Sequence, residues 1–293
     1  GLDKPDLGFE REWVDLSENL RDTDVAPFAS TLEAKGEIKC IVEKGKADYS
    51  RKQLDDLQDF AKRYGAGALA WIKVADETTS SLLKVLGEAK IAELASASGA
   101  DNSDLVLIVA GRKSLVAASL GALRIEVAKR EDLIDRTAYK PLIVTEFPMF
   151  EYDEDTDSYA AAHHPFTSPM DEDLELFKTA VNDDSHHHLL GQVRAKAYDA
   201  VINGYECAGG SIRIHQKEIQ ALNFKALGLT VEKARERFGF FLDALEYGTP
   251  PQGGFAAGIE RTCMIRCGKG NIRHVMAFPK TDSAQGLNVG FPR

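Results

Sequence analysis

"INGYECAGGSIRIH", residues 202–215, places an Asn-Gly pair, an acidic residue, two glycines and an alternating polar–apolar run in fourteen positions. Ile212 and Ile214 alternate with Ser211, Arg213 and His215, the period of a strand with one buried face. Asn203-Gly204 suits a two-residue hairpin turn, or a kink in one long strand. The polar face gathers a hydroxyl, a guanidinium and an imidazole. Arg213 suits a carboxylate clamp through two parallel hydrogen bonds. Glu206 and Asp199 are carboxylates of the kind that hold a nucleotide's Mg2+. An Arg213–Glu206 pair on a solvated face is the competing reading.

Downstream, "TVEKARERFGFFLDALEYG" (230–248) is an amphipathic helix with Val231, Ala234, Phe238, Phe241, Leu242 and Leu245 on one side. "GGFAAGIERTCMI" (253–265) follows, an apolar strand running into a helix from Ile259. A helix N-terminus presents free amides and partial positive charge, and Arg261 in its first turn suits a phosphate. Gly258 lets a ligand approach the backbone. A surface pair of Arg261 with Glu260 is the alternative. Upstream, "KPLIVTEFPMFEYDEDTDSYAAAHHPF" (140–166) reads as two strands joined by an acidic turn. Of the adjacent His163 and His164, one packs and the other reaches a ligand, unless both are structural. "SHHHLL" (185–190) reads as a solvated loop and Cys263/Cys267 as packing residues.

The first half differs in style. After a polar lead-in of about twenty residues, strands alternate with helices. "EIKCIVEKG" (37–45) is a strand ended by Gly45. "DYSRKQLDDLQDFAKRYG" (48–65) is a helix capped by Ser50, with Leu54, Leu57, Phe60 and Ala61 at helical spacing and Gly65 as its stop. "ALAWIKV" (68–74) and "DLVLIVAG" (104–111) are apolar strands, and 81–97 and 114–130 are helices. A small α/β or α+β domain results.

The 293 residues suffice for two domains, and 44% hydrophobic with 28% charged residues indicates a globular chain. A net charge of −10 gives no support for nucleic-acid binding by charge alone. No apolar run reaches membrane-spanning length, and "GLDKPDLGFERE" has no signal-peptide layout. Four cysteines without a CxxC pair fit a reduced, cytoplasmic protein.

Together these segments resemble the bacterial-type aspartyl-tRNA synthetases of class II. The resemblance is carried by "GLDKPDL" (1–7), "EFPMFE" (146–151), "HHPFTSP" (163–169), "NGYECAGGSIRIH" (203–215), "FGFFLDALEYGTPPQGGFAAGIER" (238–261), which is similar to motif 3, and "NIRHVMAFPKT" (271–281). "SRKQLDDLQDFAKRYGAGALAWIKV" (50–74) looks like that family's inserted GAD domain. The implied fold class is α+β: an incomplete class II antiparallel sheet with flanking helices, plus a smaller α/β-type GAD domain. The implied boundaries are a lead-in from the catalytic domain at 1–20, the GAD domain at 21–132 and the C-terminal part of the catalytic domain at 133–293.

The resemblance implies that Arg213 grips the side-chain carboxylate of L-aspartate, with His163 and His164 lining the same pocket. It implies that Glu206, assisted by Asp199, holds Mg2+ with ATP. Gly258, Ile259, Glu260 and Arg261 form the ATP edge, with Arg261 on the terminal phosphate. The implied reaction activates L-aspartate with ATP to aspartyl-adenylate and transfers it to tRNA-Asp, with tRNA-Asn an open second acceptor, in a full-length homodimer. Arg261 and Glu206 are the catalytic candidates, the two arginines meeting in one cleft. Motifs 1 and 2 of the family are not found in the chain, so it is expected to be a fragment inactive by itself. A free-standing, non-catalytic paralogue binding tRNA or a protein partner is the alternative.

Overall fold

The computed structural model describes residues 6, 11–135, 137–153 and 156–279. Two compact units divide at Ala138/Tyr139. "GLDKPDL" and the end of the "AFPKT" segment lie largely outside the described residues.

The first unit contains β1 (Val14–Asp15), α1 (Ala26–Glu33), β2 (Glu37–Glu43), α2 (Arg51–Lys62), β3 (Ala70–Lys73), β4 (Thr79–Ser80), α3 (Leu83–Ala97), β5 (Leu105–Gly111) and α4 (Lys113–Arg130). Its sheet runs β1-β2-β5-β3-β4, with every neighbouring pair antiparallel. The α/β-type expectation is therefore corrected. β2 and β3, which flank α2, run parallel to each other, but β5 lies between them, so no hydrogen-bonded pair is parallel. β5 is apolar throughout because both its faces are covered. Leu105, Leu107 and Val109 pack with Leu54, Leu57 and Ala61 of α2 and Leu120 and Leu123 of α4. Val106 and Ile108 pack on the other side with Phe28, Ile91 and Leu94. Ser50 closes a capping box with Gln53, as its place before the apolar spacing predicts.

The lead-in reading fails over residues 14–20. β1 pairs with β2, and Leu16 and Leu20 are fully buried in the first unit's core. Two leucines four apart in a polar segment are too few to show a period, yet enough to anchor a strap.

The second unit contains β6 (Pro141–Thr145), β7 (Phe150–Asp153), β8 (Ser158–Ala161), α5 (Leu174–Asn182), β9 (Ala197–Ile202), β10 (Tyr205–Ile212), α6 (Lys217–Ala226), α7 (Val231–Glu246), β11 (Gly253–Ala257) and α8 (Ile259–Arg266). Its main sheet runs β11-β10-β9-β6 and is antiparallel; β7 and β8 form a separate hairpin. The 140–166 stretch thus supplies three strands to two sheets. β9 and β10 join through Asn203 (φ 51°) and Gly204 (φ 79°), so the hairpin reading holds: both central residues take the left-handed conformation of a type I′ turn. The core gathers Phe150, Phe177, Leu190, Val193, Ala195, Ala197 and Ile214.

Candidate active site

β10 organises the site, and a break in its register decides what it presents. Glu206 pairs with Val201, but Ala208 pairs with Ala200, which leaves Cys207 as the extra residue of a β-bulge. Asp199 and Val201 share a face of β9, being two residues apart. Gly209 lies opposite Asp199 and Glu206 opposite Val201, so Glu206 and Asp199 share that face. An unbroken strand would turn Glu206 away from it. The Asp199 carboxyl is held above the ordinary aspartate range, first by burial and then by the charge of Glu206, with His163 pulling the other way. Gly209 is glycine because Asp199 fills its space: a Cβ there would lie 2.3 Å from Asp199 Oδ1.

Past the end of β10, Arg213 is fixed by its backbone N–H to the Gln252 carbonyl at 2.8 Å. Its Nη1 lies 3.2 Å from His164 Nδ1. The Phe166 backbone N–H donates to the same Nδ1 at 3.0 Å. Both partners only donate, so Nδ1 is a bare acceptor and the neutral ring carries its proton on Nε2. Burial, the Arg213 guanidinium and His163 hold His164 below the usual imidazole value, in agreement with that neutral state. Arg213 and His164 border a cavity of about 720 Å³, together with Phe166, Arg237, Phe238, Phe240, Phe241, Gln252, Gly253 and Gly254. His163 packs its ring on Phe147 at 4.9 Å between centroids.

The strand-to-helix junction at 253–261 forms as its sequence predicts, with Gly258 capping α8. The Gly258 N–H donates to the Cys207 carbonyl at 2.7 Å, tying the helix start to the bulge. Arg261 Nη1 donates to the Glu206 carbonyl at 2.7 Å and lies 3.7 Å from Glu206 Oε2. Arg261 therefore pairs with Glu206 and not with Glu260, and Glu206 pairs with Arg261 and not with Arg213. A second cavity, of about 330 Å³, is lined by Glu206, Cys207, Ala208, Ala256, Gly258, Glu260, Arg261, Ile272 and Met276. Ile259 is largely exposed at the helix start. A Cβ on Gly258 would meet nothing closer than 3.5 Å, so the fold itself does not require glycine there.

The two arginines line two cavities. Arg213 and His164 belong to one, Arg261 and Glu206 to the other. Phe238, Phe240 and Phe241 of α7 line the cavity beside Arg213, and the bulge puts Glu206 on the face of Asp199. The charge of His163 acts on both His164 and Asp199, and that of Glu206 on Asp199. Among the described residues no group of three or more His, Cys, Asp or Glu could hold a metal unaided. His186, His187 and His188 lie exposed on a 3-10 segment, Asp184–Gln192, with His186 Nδ1 2.8 Å from Asp183 Oδ2.

The family model for tRNA synthetases class II (D, K and N) matches residues 1–282. The chain belongs to that family. This class II synthetase chain is 49% identical to an aspartate–tRNA(Asp/Asn) ligase of Bacillus mycoides, over all of the chain and 48% of that relative. It is 48% identical, over the same shares, to a protein of the same name from Anoxybacillus flavithermus. The chain spans about half the length of the curated relatives it matches. An aspartyl tRNA synthetase structure from Entamoeba histolytica aligns with 55% of this chain and 25% of its own, at 22% identity and a TM-score of 0.36.

Within this synthetase chain, Arg237, Phe166, Phe238 and Gln252 line the larger cavity although residue-type reasoning passed them over. "RFGFF" reads as an ordinary amphipathic face. Only the kink at Phe238 (φ −130°, ψ 20°) hints that α7 bends around something.

Proposed function

We propose that the chain is part of an aspartate–tRNA ligase, its first unit, up to Ala138, a GAD-type insertion domain and its second, from Tyr139, the C-terminal part of the class II catalytic domain. The observation that carries this reading is the Arg213–His164 pair beside a cavity of small-molecule size. An always-charged fork and a neutral imidazole with Nε2–H free give a carboxylate two kinds of donor. Arg213 and His164 thus hold the side-chain carboxylate of L-aspartate, with His163 beside them.

Glu206 and Asp199 fit a Mg2+ ion carried by ATP. Two neighbouring carboxylates, one with its proton affinity raised by burial and then by the charge of the other, are relieved by a cation between them. Mg2+ characteristically takes one or two carboxylates and leaves its other positions to phosphates and water. Such an ion would neutralise charge on the triphosphate. Arg261 and the N-terminus of α8 hold the terminal phosphate, with Gly258, Ile259 and Glu260 along the edge of the nucleotide. The aspartate α-carboxylate oxygen attacks the α-phosphorus, and pyrophosphate leaves with the electrons of the broken P–O bond. The tRNA terminal hydroxyl then takes the aspartyl group, and AMP departs. The chain's contribution is positioning and charge neutralisation, without a protein nucleophile.

The acceptor is tRNA-Asp, with tRNA-Asn a second acceptor in view of the names of the two relatives. The complete enzyme acts as a homodimer in the cytoplasm. The 293 residues alone give no aspartate-dependent ATP–pyrophosphate exchange; clear turnover by them would refute this. In the complete enzyme, Arg213→Ala lowers kcat/KM for L-aspartate by roughly 30- to 1,000-fold, about 2–4 kcal/mol, and barely changes KM for ATP. Equal losses for both substrates in steady-state exchange kinetics would remove Arg213 from the aspartate pocket.

A further inference from the structure

Helix α6 buries two amide side chains one turn apart, Gln220 (0% exposed) and Asn223 (1%). Gln220 Nε2 donates to the Pro165 carbonyl at 2.8 Å, and Asn223 Nδ2 donates to the same oxygen at 2.7 Å. A carbonyl only accepts, so both amides must present nitrogen and turn their oxygens away. Neither Gln220 Oε1 nor Asn223 Oδ1 has a hydrogen-bond partner among the described residues. Burying an unpaired acceptor is unfavourable, and Met or Leu would fill these positions without it. Packing alone therefore does not account for the two amides.

The carbonyl they share follows His163 and His164 directly. Pro165 restricts His164 to extended backbone. Phe166, the next residue, supplies the N–H that fixes His164 Nδ1 as an acceptor. Its ring packs against Phe224, Phe238 and Phe241, which seats the far side of the turn. The clamp on Pro165 and the ring of Phe166 thus hold the turn from both sides.

We propose that Gln220 and Asn223 are positioning residues for the carboxylate site: by gripping the Pro165 carbonyl together they hold the turn that keeps His164 Nδ1 against Arg213 and leaves Nε2–H free for the ligand. This rests on the carboxylate reading of the Arg213–His164 pair. The clamp touches no substrate and acts only through the histidine.

The test is the double variant Gln220→Met/Asn223→Leu, which keeps volume and removes both donors. Long-range 1H–15N NMR of the chain reads the His164 tautomer and titration directly. In the native chain His164 is the Nε2–H tautomer. In the double variant it becomes a tautomer mixture, and its titration moves up toward that of an exposed imidazole, while a core of unchanged chemical shifts shows that the unit remains folded. Asn223→Leu alone keeps one donor and gives a smaller shift in the same direction; it carries the test if the double variant does not fold. An unchanged tautomer and titration in every folded variant would overturn the proposal. In the complete enzyme, KM for L-aspartate rises about tenfold in the double variant while KM for ATP holds. If His164 shifts but aspartate use does not, the carboxylate reading fails and the clamp stands as structure only.

Discussion

Two adjacent glycines show how far one residue's consequences depend on what faces it. At Gly209 a methyl group would meet the tip of the Asp199 side chain at 2.3 Å. A side chain can swing away, so Gly209→Ala leaves the fold intact, displaces the carboxylate and weakens use of Mg2+·ATP. An ATP titration that matches the native protein would refute this. At Gly210 the same methyl would lie 1.8 Å from the backbone oxygen of Gly254. Backbone of a paired strand cannot swing, so Gly210→Ala parts β10 from β11 and destabilises the second unit by about 1–3 kcal/mol or more. Chemical denaturation followed by circular dichroism reads that loss. The sequence "GG" gives no ground for telling these two apart.

His164 belongs to the same scale. Its folded pKa lies below the ordinary imidazole value, first through burial and then through Arg213 and His163. The native state therefore binds this proton less readily than the unfolded chain. The stabilisation is fully present above about pH 6.5 and is lost as pH falls through the folded value. Binding of a carboxylate at Arg213 weakens over the same interval, because a protonated Nδ1 no longer accepts from the guanidinium or from the Phe166 N–H. His164→Gln flattens that part of the pH profile of aspartate affinity.

At the scale of elements, the β9–β10 hairpin was legible in the sequence. Asn203 and Gly204 are among the few residue pairs that tolerate two consecutive positive φ angles, and both adopt them. Gly204→Ala, at φ 79°, costs about 1–2 kcal/mol. That cost lowers the Tm of the second unit by roughly 2–4 °C per kcal/mol, measurable by calorimetry. The cap of α2, the apolar run of β5 and the junction of β11 with α8 were legible for similar reasons, since each depends on residues within one turn or one strand. The bulge at Cys207 was not. Counting by twos along 205–213 assumes an unbroken ladder, and the ladder breaks because of how β9 lies beside β10. The Pro165 clamp was hidden too: Gln220 and Asn223 are 55 and 58 residues from the carbonyl they hold.

For the molecule as a whole, the four cysteines separate into two classes. Cys40 and Cys207 are buried, while Cys263 and Cys267 are exposed on or just past α8. Burial pushes the Cys40 thiol up to about 12. A thiol reagent at pH 8 therefore modifies Cys263 and Cys267 quickly and Cys40 only on unfolding, as peptide mapping by mass spectrometry will show. Fast native-state labelling of Cys40 would contradict the packing of β2.

Sequence alone determined the cap of α2, the apolar strand β5, the turn at Asn203–Gly204 and the start of α8, because those choices are made by φ preferences, hydrogen-bonding side chains and apolar spacing within a few residues. It also carried the family, through several motifs in a fixed order. Tertiary structure decided which charges meet. It set Glu206 beside Asp199 and Arg261, Arg213 against His164, and two amides of α6 on one carbonyl. Except for Glu206 and Asp199, which face each other across one hairpin, those partners lie tens of residues apart, and every one of these meetings depends on strand register or helix packing, which no local stretch of chain specifies.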